Sequence, residues 1–313
     1  MVSWQTRALN MVLHLTIKRV MSGTGTVAET RRFIEGRGKV RLPPGITVEP
    51  VHAAAFRGEW IRTPESSDDR TLLYLPGGGF MLPASQQVPM MVARLNREAG
   101  LRALLVHYRL APEHPFPAGF DDCFRVAEVL LREPGLLDLE DASQITLIGD
   151  SAGGNLAAAV CLGLRDLGLP LPGRQVLLYP ATWPDHDPQT SPFDSVRQFG
   201  TGLRLTALEV QDYMTLYEPS PEARVDPRIA PLLADDLSGQ PTTLVVTAEF
   251  DLLRDEGEAY GQALEAAGNA VRIERIDGAY HGFLTLPRFA APVVRLHGLI
   301  NDFLGSAPEV ARP

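Results

Sequence analysis

ITLIGDSAGGNLAAAV, residues 145–160, decides how the rest of the chain is read. Ile145, Thr146, Leu147 and Ile148 form a short apolar run rich in β-branched residues, which suits a strand buried on both faces. Asn155 to Val160 reads as a helix with almost no polar face. Between them lies Gly149-Asp150-Ser151-Ala152-Gly153, a serine with glycine two positions before and two after. That is the nucleophile-elbow pattern G-x-S-x-G. Its glycines have a steric reason: the strand-to-helix turn leaves no room for Cβ atoms, and the serine is forced into strained φ/ψ with its hydroxyl exposed. The free amides at a helix N-terminus also favour negative charge beside it. Gly149 to Gly154 has the spacing of a phosphate loop as well. Such a loop needs Lys and then Ser/Thr, whereas Asn155 and Leu156 follow here, which excludes nucleotide binding of that kind.

Outward from this stretch, short apolar strands alternate with helices. Thr71–Leu75 is a strand that runs into Pro76-Gly77-Gly78-Gly79-Phe80, and a helix is expected from about Ser85 to Ala99. Arg102–His107 and Val176–Pro180 are further strands on either side of the elbow in sequence. Thr242–Thr247 and Val271–Ile276 complete the series, and a helix from Pro287 to Leu304 closes the chain. This alternation indicates a doubly wound, mainly parallel sheet. Two earlier strands are expected at Val51–Arg57 and Glu59–Arg62. From Ala181 to about Leu233 the alternation stops. This stretch is rich in Pro and aromatic residues and holds a helix from Thr206 to Tyr217. Residues 1–45 contain no strand–helix unit. Trp4, Ala8, Met11, Val12 and Leu15 recur at helical spacing and predict an amphipathic helix. The resulting division is an N-terminal cap segment at 1–45 and a catalytic domain at 46–313, with 181–233 inserted as the rest of the cap.

With 313 residues, 45% of them hydrophobic and 21% charged, the chain can bury a large core. A net charge of −9 argues against a nucleic-acid partner. Cys123 and Cys161 each lie in an apolar helical pattern and read as buried small hydrophobes, not as a disulfide or metal site. The apolar run Ala8–Ile17 is too short to span a bilayer, and no convincing cleavage site follows it. A soluble, cytoplasmic protein without a membrane span is expected; a homodimer is left open. Asp185-His186-Asp187 lacks further ligands at metal-binding spacing and is expected to be a solvated loop.

A serine nucleophile needs a base within reach and an acid that orients the base. Of the seven histidines only His281 and His297 lie late enough in the chain. His297 is inside the last helix, whereas His281 is on the loop after the last strand, at the edge where open α/β sheets place their ligands. His281 is therefore preferred. Asp251, directly after the penultimate strand, is the preferred acid, with Glu249 close enough to compete. Asp277 is a weaker rival, and Asp255 and Glu256 suit a helix's first turn. The amide of Ala152 and the loop Gly77–Gly79 fit the oxyanion donors that carbonyl attack requires.

Together GDSAGGNLA, YRLAPEHPFPA from Tyr108, LRDEG after Asp251 and HGF at 281–283 resemble the hormone-sensitive-lipase-like esterases, the bacterial family IV carboxylesterases. The resemblance runs from about Leu72 to Phe303. It implies the α/β-hydrolase fold, a mostly parallel central sheet flanked by helices with a helical cap. It further implies a Ser151–Asp251–His281 triad, an oxyanion hole of Gly78, Gly79 and Ala152, and no cofactor or metal. The family usually has His before the three glycines, where this chain has Pro76. The expected substrates are short-acyl esters, with small lactones as a further class, in an apolar pocket near Phe80, Met81, Leu82, Leu252, Leu253 and Phe283. The alternative is a non-catalytic small-molecule receptor on the same scaffold.

Overall fold

The computed structural model describes residues 27–35, 42–52, 56–84, 88–201 and 204–305. The stretch with Trp4, Ala8, Met11, Val12 and Leu15 lies outside the described residues. After helix α1 (Val27–Glu35), the chain lays down β1 (Thr47–His52), β2 (Arg57–Arg62), β3 (Thr71–Leu75), α2 (Val88–Ala99), β4 (Arg102–Val106) and α3 (Ala118–Arg132). The elbow strand β5 (Ile145–Asp150) and helix α4 (Ala152–Asp166) follow, then β6 (Arg174–Leu178). Helices α5 (Asp194–Phe199) and α6 (Ala207–Tyr217) stand between β6 and β7 (Thr242–Phe250). The chain continues through α7 (Arg254–Ala266), β8 (Val271–Tyr280) and α8 (Ala291–Gly305).

These strands form one eight-stranded sheet in the order β1-β2-β4-β3-β5-β6-β7-β8. β2 is antiparallel to both β1 and β4, and every pair from β4 to β8 is parallel. The apolar runs are continuous because the inner strands are covered on both sides: every residue of β3, β4 and β6 is buried. The pleat then sorts them. Leu73, Leu75, Leu147 and Leu177 join one cluster with α3 and α4, while Leu72, Tyr74, Ile148 and Val176 join another with α2 and α8. β5, β7 and β8 therefore end on the same edge of the sheet as the loop after β3.

Two expected strand boundaries need correcting. The first strands are Thr47–His52 and Arg57–Arg62, so the run expected to be one strand from Val51 to Arg57 holds the end of one strand and the start of the next. Pro50 is tolerated because β1 is an edge strand. The last strand does not stop at Ile276. Beyond a register shift between Ala248 and Phe250 it pairs again, Tyr280 with Phe250, so Asp277-Gly278 lies within the strand.

The segment between β6 and β7 is built against the helix that follows the elbow. The Asn155 side-chain amide donates to the carbonyls of Ala181 (2.8 Å) and Ile229 (2.6 Å). Thr206 and Glu209 cap the start of α6 reciprocally, at 2.7 and 3.3 Å. At its other end Tyr217 stacks on Phe80, with centroids 3.8 Å apart and planes at 7°. His186 is not on a solvated loop: its side chain is buried, and Nε2 stands 2.9 Å from Glu256 Oε2. Glu256 Oε1 also accepts the amides of Thr182 (2.6 Å) and Trp183 (3.2 Å), so a buried carboxylate in α7 holds the start of the insertion. Among the described residues no cluster of three or more His, Cys, Asp or Glu is arranged to hold a metal. No helix among them is long and apolar enough to cross a membrane.

Candidate active site

Ser151 sits at the N-terminus of α4 with φ 55° and ψ −121°, a region side chains rarely occupy. Its amide donates to Leu178 O on β6 at 2.9 Å, which keeps the turn tight. The flanking glycines are sterically required. A Cβ on Gly149 would stand 2.1 Å from Gly153 O, and one on Gly153 would stand 2.1 Å from Leu75 O. Strand and helix thus touch backbone to backbone, and the serine side chain is turned outward at the sheet edge.

His281 follows β8 directly and reaches that hydroxyl, with Nε2 2.8 Å from Ser151 Oγ. Its Nδ1 is 2.7 Å from Asp251 Oδ2. A buried carboxylate only accepts, so Nδ1 carries the proton and Nε2 is left to accept from the serine. Asp251 is 1% exposed and also accepts the amide of Leu253 at 3.0 Å. The edge of the Tyr179 ring meets the imidazole at 4.9 Å between centroids, fixing the ring plane from a third side.

The rival candidates are engaged elsewhere. His297 lies on α8, where Nδ1 is 3.0 Å from Glu98 of α2. Glu249 accepts the amide of Gly278 at 2.6 Å, and Asp277 is exposed on β8. Asp255 accepts the amide of Ser195 at 2.8 Å and pairs with Arg254 at 2.7 Å. Glu256 is the buried anchor of the insertion described above.

The glycine loop after β3 lies beside the elbow. Gly78, Gly79 and Phe80 all have positive φ (137°, 58° and 62°), and Gly78 O accepts the amides of Met81 (3.2 Å) and Leu82 (2.9 Å). The loop is braced from the elbow itself. Asp150 Oδ1 accepts the amide of Gly77 at 2.9 Å and the hydroxyl of Tyr74 at 2.8 Å. Burial raises the Asp150 carboxyl above its ordinary value, against the opposing pull of Gly77, Tyr74 and His281. Tyr108 donates to Pro76 O at 2.7 Å, so the position where a histidine was expected is held through its carbonyl. Ala152, first residue of α4, is buried next to the serine.

Phe80, Met81, Leu252, Leu253 and Phe283 are all buried, and Leu82 is half-buried. Phe283 packs edge-on against Tyr179 at 5.5 Å. Tyr213 of α6 lies over Gly79, where a Cβ would come within 2.6 Å of its ring. Sequence reading missed Asp150, Tyr179, Tyr213, Arg31 and Arg204 around this site. Of these only Asp150 carried a sequence signal, its place inside the elbow. Arg31 of α1 donates to Met81 O (2.8 Å) and Ala111 O (2.5 Å) and pairs with Glu113 at 2.8 Å.

Residues 72–285 match a family described as alpha/beta hydrolase fold. The chain is 40% identical over 224 residues to the carboxylic ester hydrolase LipN of Mycobacterium tuberculosis, a match covering 69% of this chain and 57% of that protein. It is 34% identical to an acetyl-hydrolase of Streptomyces hygroscopicus, covering 80% of this chain and 79% of the relative. Among solved structures, an esterase of Pyrobaculum calidifontis superposes with a TM-score of 0.82 at 28% identity, covering 97% and 98% of the two chains.

Proposed function

Because the chain belongs to the α/β-hydrolase family, in its hormone-sensitive-lipase-like branch, we propose that it is a serine carboxylic-ester hydrolase working through an acyl-enzyme. The observation that carries this reading is the unbroken chain Ser151 Oγ–His281 Nε2 (2.8 Å) and His281 Nδ1–Asp251 Oδ2 (2.7 Å). Ser151 attacks the ester carbonyl and its proton passes to Nε2. Asp251 stabilises the imidazolium without taking its proton. The amides of Gly78, Gly79 and Ala152 receive the developing oxyanion, and the α4 N-terminus favours that charge. His281 then protonates the leaving alkoxide. In the second half a water gives its proton to His281 and attacks the acyl carbon; the acyl–Oγ bond breaks, His281 returns the proton to Ser151 Oγ, and the acid is freed.

Residues 1–45 and 181–233 act as the cap of a catalytic domain that spans 46–313. A short acyl site is proposed because large rings crowd the glycine loop: Phe80 is stacked on Tyr217, and Tyr213 lies over Gly79. The name of the Streptomyces relative, an acetyl-hydrolase, points the same way. Met81, Leu82, Leu252, Leu253 and Phe283, neighbours in sequence of the glycine loop, Asp251 and His281, would supply the rest of the acyl site's apolar lining. Small lactones suit the same site. The test is hydrolysis of p-nitrophenyl esters from acetate to dodecanoate, with a lactone panel alongside. The expected kcat/KM is highest for acetate or butyrate, and no turnover of any ester would leave a receptor as the better reading.

A further inference from the structure

Arg204 belongs to the insertion, between α5 and α6, yet its polar contacts are with the loop of the base. Nη1 donates to Gly282 O at 2.9 Å and Nη2 to Thr285 Oγ1 at 2.6 Å. The guanidinium lies 5.7 Å from the centroid of Tyr280. Residues on both sides of His281 are therefore held by one side chain from outside the sheet domain. Gly282 has φ 68°, and a Cβ there would come within 3.6 Å of the guanidinium carbon, so the planar group lies against the glycine. Gly282 O is also reached from within its own turn by the Thr285 amide (3.1 Å) and hydroxyl (2.9 Å). The imidazole itself is fixed by Asp251 and Tyr179, neither of which touches this turn's carbonyl.

We infer that Arg204 is a positioning residue through which the insertion sets the placement of His281. The inference rests on the triad reading and deepens it: the insertion then takes part in the chemical step besides covering the site. A fork that grips a carbonyl and a hydroxyl is specific to arginine, because lysine is a point charge on a flexible stem. A base misplaced by about 1 Å loses on the order of 100-fold in rate, so a loop restraint of this kind acts on kcat.

The experiment compares Arg204→Ala and Arg204→Lys with the wild-type chain in p-nitrophenyl butyrate hydrolysis, with melting followed by circular dichroism. The rate at which a fluorophosphonate labels Ser151 is measured in parallel. The expected result for Arg204→Ala is a kcat lower by roughly 10–100-fold with KM within about threefold, and a matching fall in labelling rate. Arg204→Lys should regain part of that loss. Wild-type kcat in Arg204→Ala, or a change in KM alone, overturns the inference. Should Arg204→Ala fail to fold, Arg204→Lys decides: a lowered kcat at an unchanged melting temperature supports the inference and a wild-type kcat overturns it. A wild-type chain that neither hydrolyses the ester nor takes the label fails differently, because then the triad reading itself falls.

Discussion

Ser151 holds its hydroxyl on a backbone conformation that costs on the order of 1–3 kcal/mol, kept in place by the contacts of Gly149 and Gly153. Ser151→Ala keeps that backbone and removes only the proposed nucleophile, so kcat should fall on the order of 10⁴–10⁶ while the melting temperature stays close to wild type. His281→Ala should be about as damaging, because base and nucleophile act as a unit; His297→Ala should leave kcat nearly unchanged. Equal losses at both histidines would remove His281 from its role. A second contrast concerns the glycine loop. Pro76 is held through its carbonyl and Gly77 through its amide, so a histidine at position 76 has no bracing left to supply. Pro76→His should stay within about tenfold of wild-type activity, roughly 1.4 kcal/mol in barrier. Gly78→Pro puts a ring that demands φ near −65° where φ is 137°, and it deletes the amide proposed as an oxyanion donor. Its kcat should fall by about 10²–10³ or more, and steady-state kinetics on one ester ranks the pair.

At the level of elements, α2 and α8 pack together through a pair with a pH dependence. Burial pushes the His297 imidazole down to about 4, helped by Arg94 and opposed by Glu98. The unfolded imidazole titrates near 6.5, so between those values the unfolded chain binds more protons and stability falls as pH drops. This contribution is fully present above the unfolded value and amounts to about 3 kcal/mol lost once pH has fallen through the folded one. Urea denaturation at pH 7 and pH 5 should show about 2 kcal/mol of the loss in wild type, and His297→Leu should show a markedly shallower dependence. Parallel slopes for the two proteins would count against it. The elements themselves were largely legible. Strands β3 to β7 stand out because double burial writes itself as unbroken apolar runs. The boundary between β1 and β2 was misplaced because the sequence from Val51 to Arg57 offers no Gly, Pro, Asn or Asp as punctuation. The end of β8 was cut short because Asp277-Gly278 reads as a breaker, although a register shift lets the strand continue. His186 looked solvated because its partner, Glu256, lies 70 residues away in sequence.

For the molecule as a whole, order and motif were enough to pick out Ser151, His281 and Asp251, which the fold brings into one hydrogen-bonded row, whereas the contacts that tie the outlying segments to them could not be read. Periodicity reports burial, and it is silent on which carbonyl a distant arginine will find. Arg31 is such a case, placing α1 against the far end of the glycine loop. Removing charge-assisted hydrogen bonds of this kind costs about 1.5–3 kcal/mol each, so Arg31→Ala should loosen α1. The expected outcome is a drop of about tenfold in kcat/KM for short esters with a smaller drop for longer ones, read from the acyl-chain panel. An unchanged profile would show that α1 has no influence on the glycine loop.

The anchoring of the insertion on Asn155 bears on how such proteins can be diversified. One amide nitrogen touches the carbonyls of both Ala181 and Ile229, so the segment leaves and re-enters the fold at a single point. A segment tethered in this way is interchangeable in principle. Its length hardly affects the scaffold, because doubling a loop adds only about 0.6 kcal/mol of closure entropy. Grafting a foreign segment between these two residues should therefore yield a folded chimera, provided the graft also supplies partners for the buried Glu256 carboxylate, as Thr182, Trp183 and His186 do here. The graft would inherit a working base only if it also brought a side chain to grip Gly282 O, as Arg204 does. Recombination at that seam would sort sequences by a few contacts, and new specificities would be expected to arise there more readily than by rebuilding the sheet.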